Sequence, residues 1–147
     1  IVLPDNIVLL DETYNAGVES MTAALRLLAE TPGQRHIAVL GTMKELGHQS
    51  VALHRQVGQV VGQLRLDALF TLAPPQEAAA LADGADGIPT QAFDHHDALL
   101  QRLMTELQPG DRVLLKASRS VALDTVVEKL VQAFAKPELE TSVAGQE

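Results

Sequence analysis

Three short segments of this chain are rich in side chains able to bind or polarise a small ligand. Asp11-Glu12-Thr13-Tyr14-Asn15-Ala16-Gly17 sets two carboxylates beside the single tyrosine and an asparagine. Adjacent carboxylates can accept from ribose hydroxyls or hold magnesium through water. An aromatic ring can lie against a purine, and Asn15 and Gly17 suit a helix start, whose free N–H groups favour anions. The same residues also fit a plainer role, with Asp11 and Asn15 as caps and Tyr14 packed, because Asn, Asp and Gly are ordinary loop residues. Lys116-Ala117-Ser118-Arg119-Ser120 gathers two cations and two hydroxyls. An arginine can fork onto a carboxylate or phosphate, and a following helix N-terminus would add donors. The plainer role here is a serine cap with Lys116 and Arg119 in solvent. Gly41-Thr42-Met43-Lys44-Glu45-Leu46-Gly47 places Thr42, Lys44 and Glu45 between two glycines and, taken alone, reads as a flexible connection.

Each segment sits between an apolar run and a helical stripe. Ile7–Leu10, Ile37–Leu40, Ala68–Leu72 and Arg112–Lys116 read as buried strands, with a weaker strand near Ile88–Phe93 and a short one within residues 1–6. Between them, Val18, Met21, Leu25 and Leu28 recur at helical spacing, as do Leu53, Val57, Val60 and Leu64. Pro74-Pro75 opens a third, alanine-rich helix. Asp94 is placed to cap a fourth carrying Leu99 or Leu100, Leu103 and Leu107, and Leu123, Val127, Leu130 and Phe134 mark the last. Continuous apolar strands alternating with amphipathic helices imply an α/β fold: a Rossmann-like, mainly parallel sheet with helices on both faces. In such folds ligands lie beyond the carboxyl ends of the strands, the edge that all three segments share. Residues 1–135 form one domain on this reading, and residues 136–147, polar and without an apolar period, a flexible tail.

Composition removes several function classes. With 147 residues, 46% hydrophobic and 20% charged, the chain suits one ordinary globular domain. A net charge of −8 argues against nucleic acid as a partner, and few aromatics argue against a base-stacking platform. There is no cysteine for a disulfide or thiolate site, and no run approaches the roughly 20 apolar residues of a membrane span. No G-x-x-x-x-G-K-[ST] phosphate loop and no G-x-S-x-G elbow occurs. His48 and His54 lack the spacing of a helical zinc pair, His95 and His96 do not share a helix face, and surface roles are expected for most of the five histidines. The chain opens on Ile1 rather than Met, as a domain of something longer would. The residues alone therefore imply an α/β domain that helps bind an anionic or zwitterionic small ligand.

The three segments resemble the carboxy-terminal domain of the Mur ligases. Leu10–Ala16 is similar to that family's D-D-x-Y-N-A-N-P segment; Val39–Gly47, with His54 downstream, to its V-L-G-D-M-x-E-L-G…H stretch; and Leu114–Ser120 to its L-V-K-G-S-R-S. The likeness runs in order from Ile7 to Phe134. Glu12 replaces an Asp of the pattern, Gly17-Val18 an Asn-Pro, Thr42 an Asp and Ala117 a Gly. The nearest branch joins D-alanyl-D-alanine to UDP-N-acetylmuramoyl-tripeptide in bacterial cell-wall synthesis, in the cytoplasm. The resemblance implies the third domain of an ATP-dependent amide ligase, inactive alone, with ATP and Mg2+ held mainly by a central domain that this chain lacks. It implies that Asp11 or Glu12 meets the ribose or a metal-bound water, that Tyr14 and Asn15 line the nucleotide or acceptor cleft, and that Lys116, Ser118 and Arg119 face the dipeptide or the phosphates. Thr42, Lys44 and Glu45 are further candidates. No residue is assigned as catalytic or as a metal ligand. Two other readings share these features: another Mur ligase or a folylpolyglutamate synthase, and a stand-alone ligand-binding module.

Overall fold

Six strands and five helices alternate along the chain in a computed structural model, which describes the backbone of residues 1–146 and the side chains of residues 1–135. The strands are β1 (Val2–Leu3), β2 (Ile7–Glu12), β3 (Arg35–Gly41), β4 (Ala68–Leu72), β5 (Thr90–Phe93) and β6 (Asp111–Lys116). The helices are α1 (Val18–Glu30), α2 (Ser50–Gln63), α3 (Pro75–Gly84), α4 (His96–Glu106) and α5 (Asp124–Gln146). The tail expected over 136–147 lies outside the residues whose side chains are described. Asp94 caps nothing: the residue before α4 is His95, and no side chain caps that helix.

All strands join one sheet in the order β1-β2-β6-β3-β4-β5. Only β1 runs antiparallel; β2, β6, β3, β4 and β5 pair in parallel. Alternation along the strands divides the core in two. Ile37, Val39, Phe70, Val113 and Leu115 pack with Leu99 and Leu103 of α4 and Val126, Val127 and Leu130 of α5. Ala38, Leu40, Leu69 and Leu114 point the other way, to Met21, Leu25 and Leu28 of α1, Val57 and Val61 of α2 and Leu81 of α3. Helices therefore cover both faces, and the period-two pattern of the strands is what shares the apolar surface between them. The α2–α3 pair is closely set: a Cβ on Gly58 would lie 2.2 Å from the Leu81 carbonyl oxygen.

The amino ends of the strands are fastened by two arginines. Arg35 binds Asp111 through Nε at 2.9 Å and a second guanidinium nitrogen at 2.7 Å, with the carboxylate fully buried. That partnership, chiefly the hydrogen bond with Asp111, raises the Arg35 pKa above its ordinary value. Arg112 donates to the carbonyl oxygens of Pro32 at 2.7 Å and Asn6 at 2.6 Å, holding two loops of that edge.

The carboxyl edge is built differently. β6, the last strand in sequence, lies between β2 and β3. The chain leaves β2 and β3 for helices on one face but leaves β6 for α5 on the other. Connections that diverge from neighbouring strands open a crevice at the strand ends.

Candidate functional site

The ladder brings the segments together in register. Glu12 is opposite Lys116 across β2 and β6, and Leu40 is opposite Lys116 across β6 and β3. The first two candidate loops start later than the sequence suggests, because Asp11, Glu12 and Gly41 are still paired strand residues, whereas Lys116 ends its strand as read. In a parallel ladder, residues opposite one another point to the same side. Glu12 and Lys116 are thus fixed as neighbours by the backbone and need no loop to meet.

Lys116 is only 4% exposed, and its Nζ donates to the Asn15 carbonyl oxygen at 2.8 Å. Burial pushes its pKa down from the ordinary lysine value, while the Glu12 carboxylate acts in the opposite direction. This amine therefore fastens the first loop to the sheet as well as adding positive charge. Within that loop the Asp11 carboxylate accepts from the Thr13 hydroxyl at 2.7 Å and the Thr13 amide at 3.2 Å, and Thr13 is itself buried. Neither Asp11 nor Asn15 caps α1. The Asn15 side chain accepts from the Ala16 amide at 2.8 Å, and Gly17 is the cap residue, its amide donating to Ser20 Oγ at 3.0 Å.

Tyr14 is not packed: it is 71% exposed. The Arg119 guanidinium lies over its ring, 5.0 Å from the centroid, and one guanidinium nitrogen is 3.4 Å from the phenol oxygen. A cation–π contact at an exposed site contributes about 0.5–1 kcal/mol. It joins the first loop to the third while leaving most of both side chains in solvent.

Ser118 caps no helix. Its hydroxyl accepts from the Lys44 amide at 2.8 Å, and its own amide donates to the Thr42 carbonyl oxygen at 3.1 Å. The third loop passes through a turn of 3-10 helix at Arg119–Val121 and a left-handed Ala122 (φ 61°) before α5 begins. The second loop is more constrained than a flexible connection. Glu45 and Gly47 both take positive φ, at 62° each, Thr42 is buried, and Lys44 and Glu45 project into solvent. Gly41 permits this convergence: a Cβ there would lie 2.5 Å from the Ala117 Cβ.

All ten candidate residues thus fall on one edge, in two groups. Lys116, Ser118 and Thr42 are engaged in holding loops to one another. Asp11, Glu12, Tyr14, Asn15, Lys44, Glu45 and Arg119 are exposed around them. A cavity of about 280 Å³ bordered by Leu10, Ala24, Leu27 and Leu114 reaches Asp11 and Glu12 but not Tyr14, Lys116 or Arg119. The edge is therefore a largely solvent-facing surface of mixed charge beside this cavity. Among the described residues no group of three or more His, Cys, Asp or Glu side chains is placed to hold a metal ion. Nor is any helix among the described residues long and apolar enough to cross a membrane.

One contributor is hidden from simple pattern reading. His54, a residue of α2, is fully buried rather than at the surface, and its ring nitrogen accepts from the Met43 amide at 3.1 Å. His48 and His95 are exposed, as expected of most histidines here. The downstream position of His54 in the family-like segment was the one signal that set it apart.

The family model described as Mur ligase, glutamate ligase domain, matches residues 2–119. The chain is 54% identical over 126 residues to the UDP-N-acetylmuramoyl-tripeptide–D-alanyl-D-alanine ligase of Synechocystis, covering 86% of the chain and 28% of that protein. It is 39% identical over 132 residues to the Escherichia coli K12 protein of the same name, covering 88% and 28% respectively. Its fold is similar to the crystal structure of the MurF ligase from Thermotoga maritima in complex with ADP, with a TM-score of 0.75 and 31% identity, over 89% of this chain and 29% of the other. The chain thus spans less than a third of the length of each.

Proposed function

Because this chain belongs to the Mur ligase family, in its glutamate ligase domain, we propose that it is the carboxy-terminal, closing domain of an ATP-dependent ligase that joins D-alanyl-D-alanine to UDP-N-acetylmuramoyl-tripeptide in peptidoglycan synthesis. The observation that carries this reading is the convergence of the three family-like segments on one open edge, supported by relatives of that name at 54% and 39% identity. The domain occupies residues 1–135. Phosphate-binding and ATPase elements belong to other parts of the full-length protein, since no phosphate loop occurs in this sequence. The reaction is set in the cytoplasm.

The proposed chemistry has two steps. The tripeptide carboxylate attacks the γ-phosphorus of ATP, forming an acyl phosphate and releasing ADP. The amine of D-alanyl-D-alanine then attacks the acyl carbon, loses a proton and expels inorganic phosphate. Magnesium, held elsewhere in the full-length enzyme, would supply charge neutralisation at the phosphates. This domain contributes positioning and exclusion of water. Arg119 is the exposed guanidinium at the edge, suited to the dipeptide carboxylate or a phosphate oxygen. Tyr14 offers a ring face to the nucleotide base or the acceptor, and Asp11 or Glu12 accepts from ribose hydroxyls. Asn15 lines the same cleft, Lys44 and Glu45 flank it, and Thr42, Lys116 and Ser118 keep the loops in place. The ADP named in the Thermotoga complex supports nucleotide use by this kind of fold.

The test is a phosphate-release assay on the full-length protein. Release is expected only with ATP, the UDP-linked tripeptide and D-alanyl-D-alanine together. Turnover with glutamate on a folate acceptor, or with a single amino acid in place of the dipeptide, would move the protein to another branch of the family. Ligand binding without phosphate release would favour a binding module.

A further inference from the structure

His54 has no direct role in the proposed chemistry, yet the second loop hangs from it. A backbone amide can only donate, so the 3.1 Å contact from Met43 N makes Nε2 the acceptor and leaves the proton on Nδ1. Nδ1 lies 2.7 Å from the Ser50 carbonyl oxygen and 3.3 Å from the Ser50 hydroxyl oxygen, and that hydroxyl donates to Glu77 on α3 at 3.2 Å. The imidazole is therefore oriented from its far side by the start of α2, with Glu77 behind it, and presents one lone pair to the loop. With the ring wholly enclosed, no water can take its place.

What it holds is the junction of two loops. Met43 stands between Thr42, whose carbonyl accepts from the Ser118 amide, and Lys44, whose amide donates to the Ser118 hydroxyl. Release of Met43 would loosen both bonds to Ser118, the residue before Arg119. We propose that His54 is a positioning residue of the ligase site: by accepting the Met43 amide it sets where Lys44, Glu45 and Arg119 meet the ligands. This rests on the ligase reading above.

Two substitutions separate the lone pair from mere bulk. In His54→Gln the side-chain amide oxygen reaches the place of Nε2 and still accepts from Met43. In His54→Asn the amide reaches only the place of Nδ1, so Met43 loses its acceptor. Both remove the ring, and because His54→Asn is also one methylene smaller, the two are compared where both are fully folded. In the full-length ligase, hydrogen exchange over residues 41–47 is expected to be slow in the unsubstituted enzyme and in His54→Gln, and fast in His54→Asn. kcat/KM is expected to fall roughly tenfold to a hundredfold in His54→Asn, the cost of a small misplacement, and to stay near the unsubstituted value in His54→Gln at equal melting temperature. Equal kinetics for the two variants overturn the proposal, as does fast exchange in His54→Asn with turnover intact. An unsubstituted full-length enzyme that releases no phosphate with all three substrates overturns the ligase reading instead, and this proposal with it, whatever the exchange shows.

Discussion

At the scale of single residues, the site is divided between side chains that hold loops and side chains that face solvent, and Lys116 shows how the two can be told apart. Its amine is buried, bonded to the Asn15 carbonyl oxygen and set beside Glu12 by the ladder. Burial lowers its pKa in the folded chain below the ordinary lysine value of 10.5. Between the folded and unfolded values the unfolded chain binds more protons, so this residue makes stability rise with pH across a window just below 10.5. Beneath that window the ammonium is charged in both states and its burial is a cost. Lys116→Met is expected to remove the alkaline rise: unfolding in urea across that window, compared between the two proteins, should show a steeper gain for the unsubstituted chain. Parallel curves would mean that Lys116 is as well solvated folded as unfolded. None of this was legible in the sequence, where Lys116 reads simply as a cation at a strand end. Its burial follows from the placement of β6 between β2 and β3, and local patterns do not encode that order.

At the scale of elements, the strands and helices were largely legible because their apolar periods are unbroken, and what escaped was long-range. Ala68–Leu72 forms as read, and β3 extends the Ile37–Leu40 run by two residues before it and one after. The polar end of β2 reads as loop because Asp and Glu seldom lie in strand interiors, yet ladder pairing keeps Asp11 and Glu12 in the sheet. The burial of His54 is not legible in the sequence, because helical spacing cannot say which polar position of α2 faces a neighbouring loop. Gly41 is a similar case: it reads as a loop glycine, but its lack of a Cβ lets β3 approach Ala117. Gly41→Ala puts a methyl carbon 2.5 Å from the Ala117 Cβ, so strand end and loop must separate. A loss of about 1–3 kcal/mol is expected, as for overpacking elsewhere, together with reduced ligase turnover because the second and third loops shift. Gly41→Ala combined with Ala117→Gly should restore most of both, since it exchanges the methyl across the contact and leaves only the 3.0 Å approach to Val121 to be relieved. Failure of the pair to recover either property would locate the strain elsewhere.

At the scale of the whole molecule, the two edges of the sheet carry different burdens. The amino edge is closed by buried, saturated ion pairs and carbonyl contacts, with Asp111 receiving Arg35 twice and the Gln108 amide once. The carboxyl edge is left open, with the Arg119 guanidinium lying over the Tyr14 ring on a solvent-facing surface. On the proposed reading, a domain that closes over ligands held by another part of the enzyme would use this polarity: a rigid rear to transmit its orientation, and a front whose groups are satisfied on closure. Two substitutions on the full-length ligase follow from it. Asp111→Ala leaves the Arg35 guanidinium with only Glu106 and the Gln108 amide without its acceptor, and should lower stability by about 1–3 kcal/mol, with kcat/KM nearly unchanged at temperatures where the protein stays folded. Arg119→Ala removes an exposed side chain and its contact with Tyr14 and should cost no more than about 1 kcal/mol. It should nonetheless reduce kcat/KM by roughly tenfold to a hundredfold, the worth of one charge-assisted hydrogen bond of about 1.5–3 kcal/mol. Arg119→Lys should recover only part, because an ammonium cannot reproduce the planar fork. Melting curves and steady-state kinetics of the two alanine variants, measured side by side, decide the matter. If Asp111→Ala loses activity without loss of stability, or Arg119→Ala loses stability without loss of activity, the edges are not divided in this way.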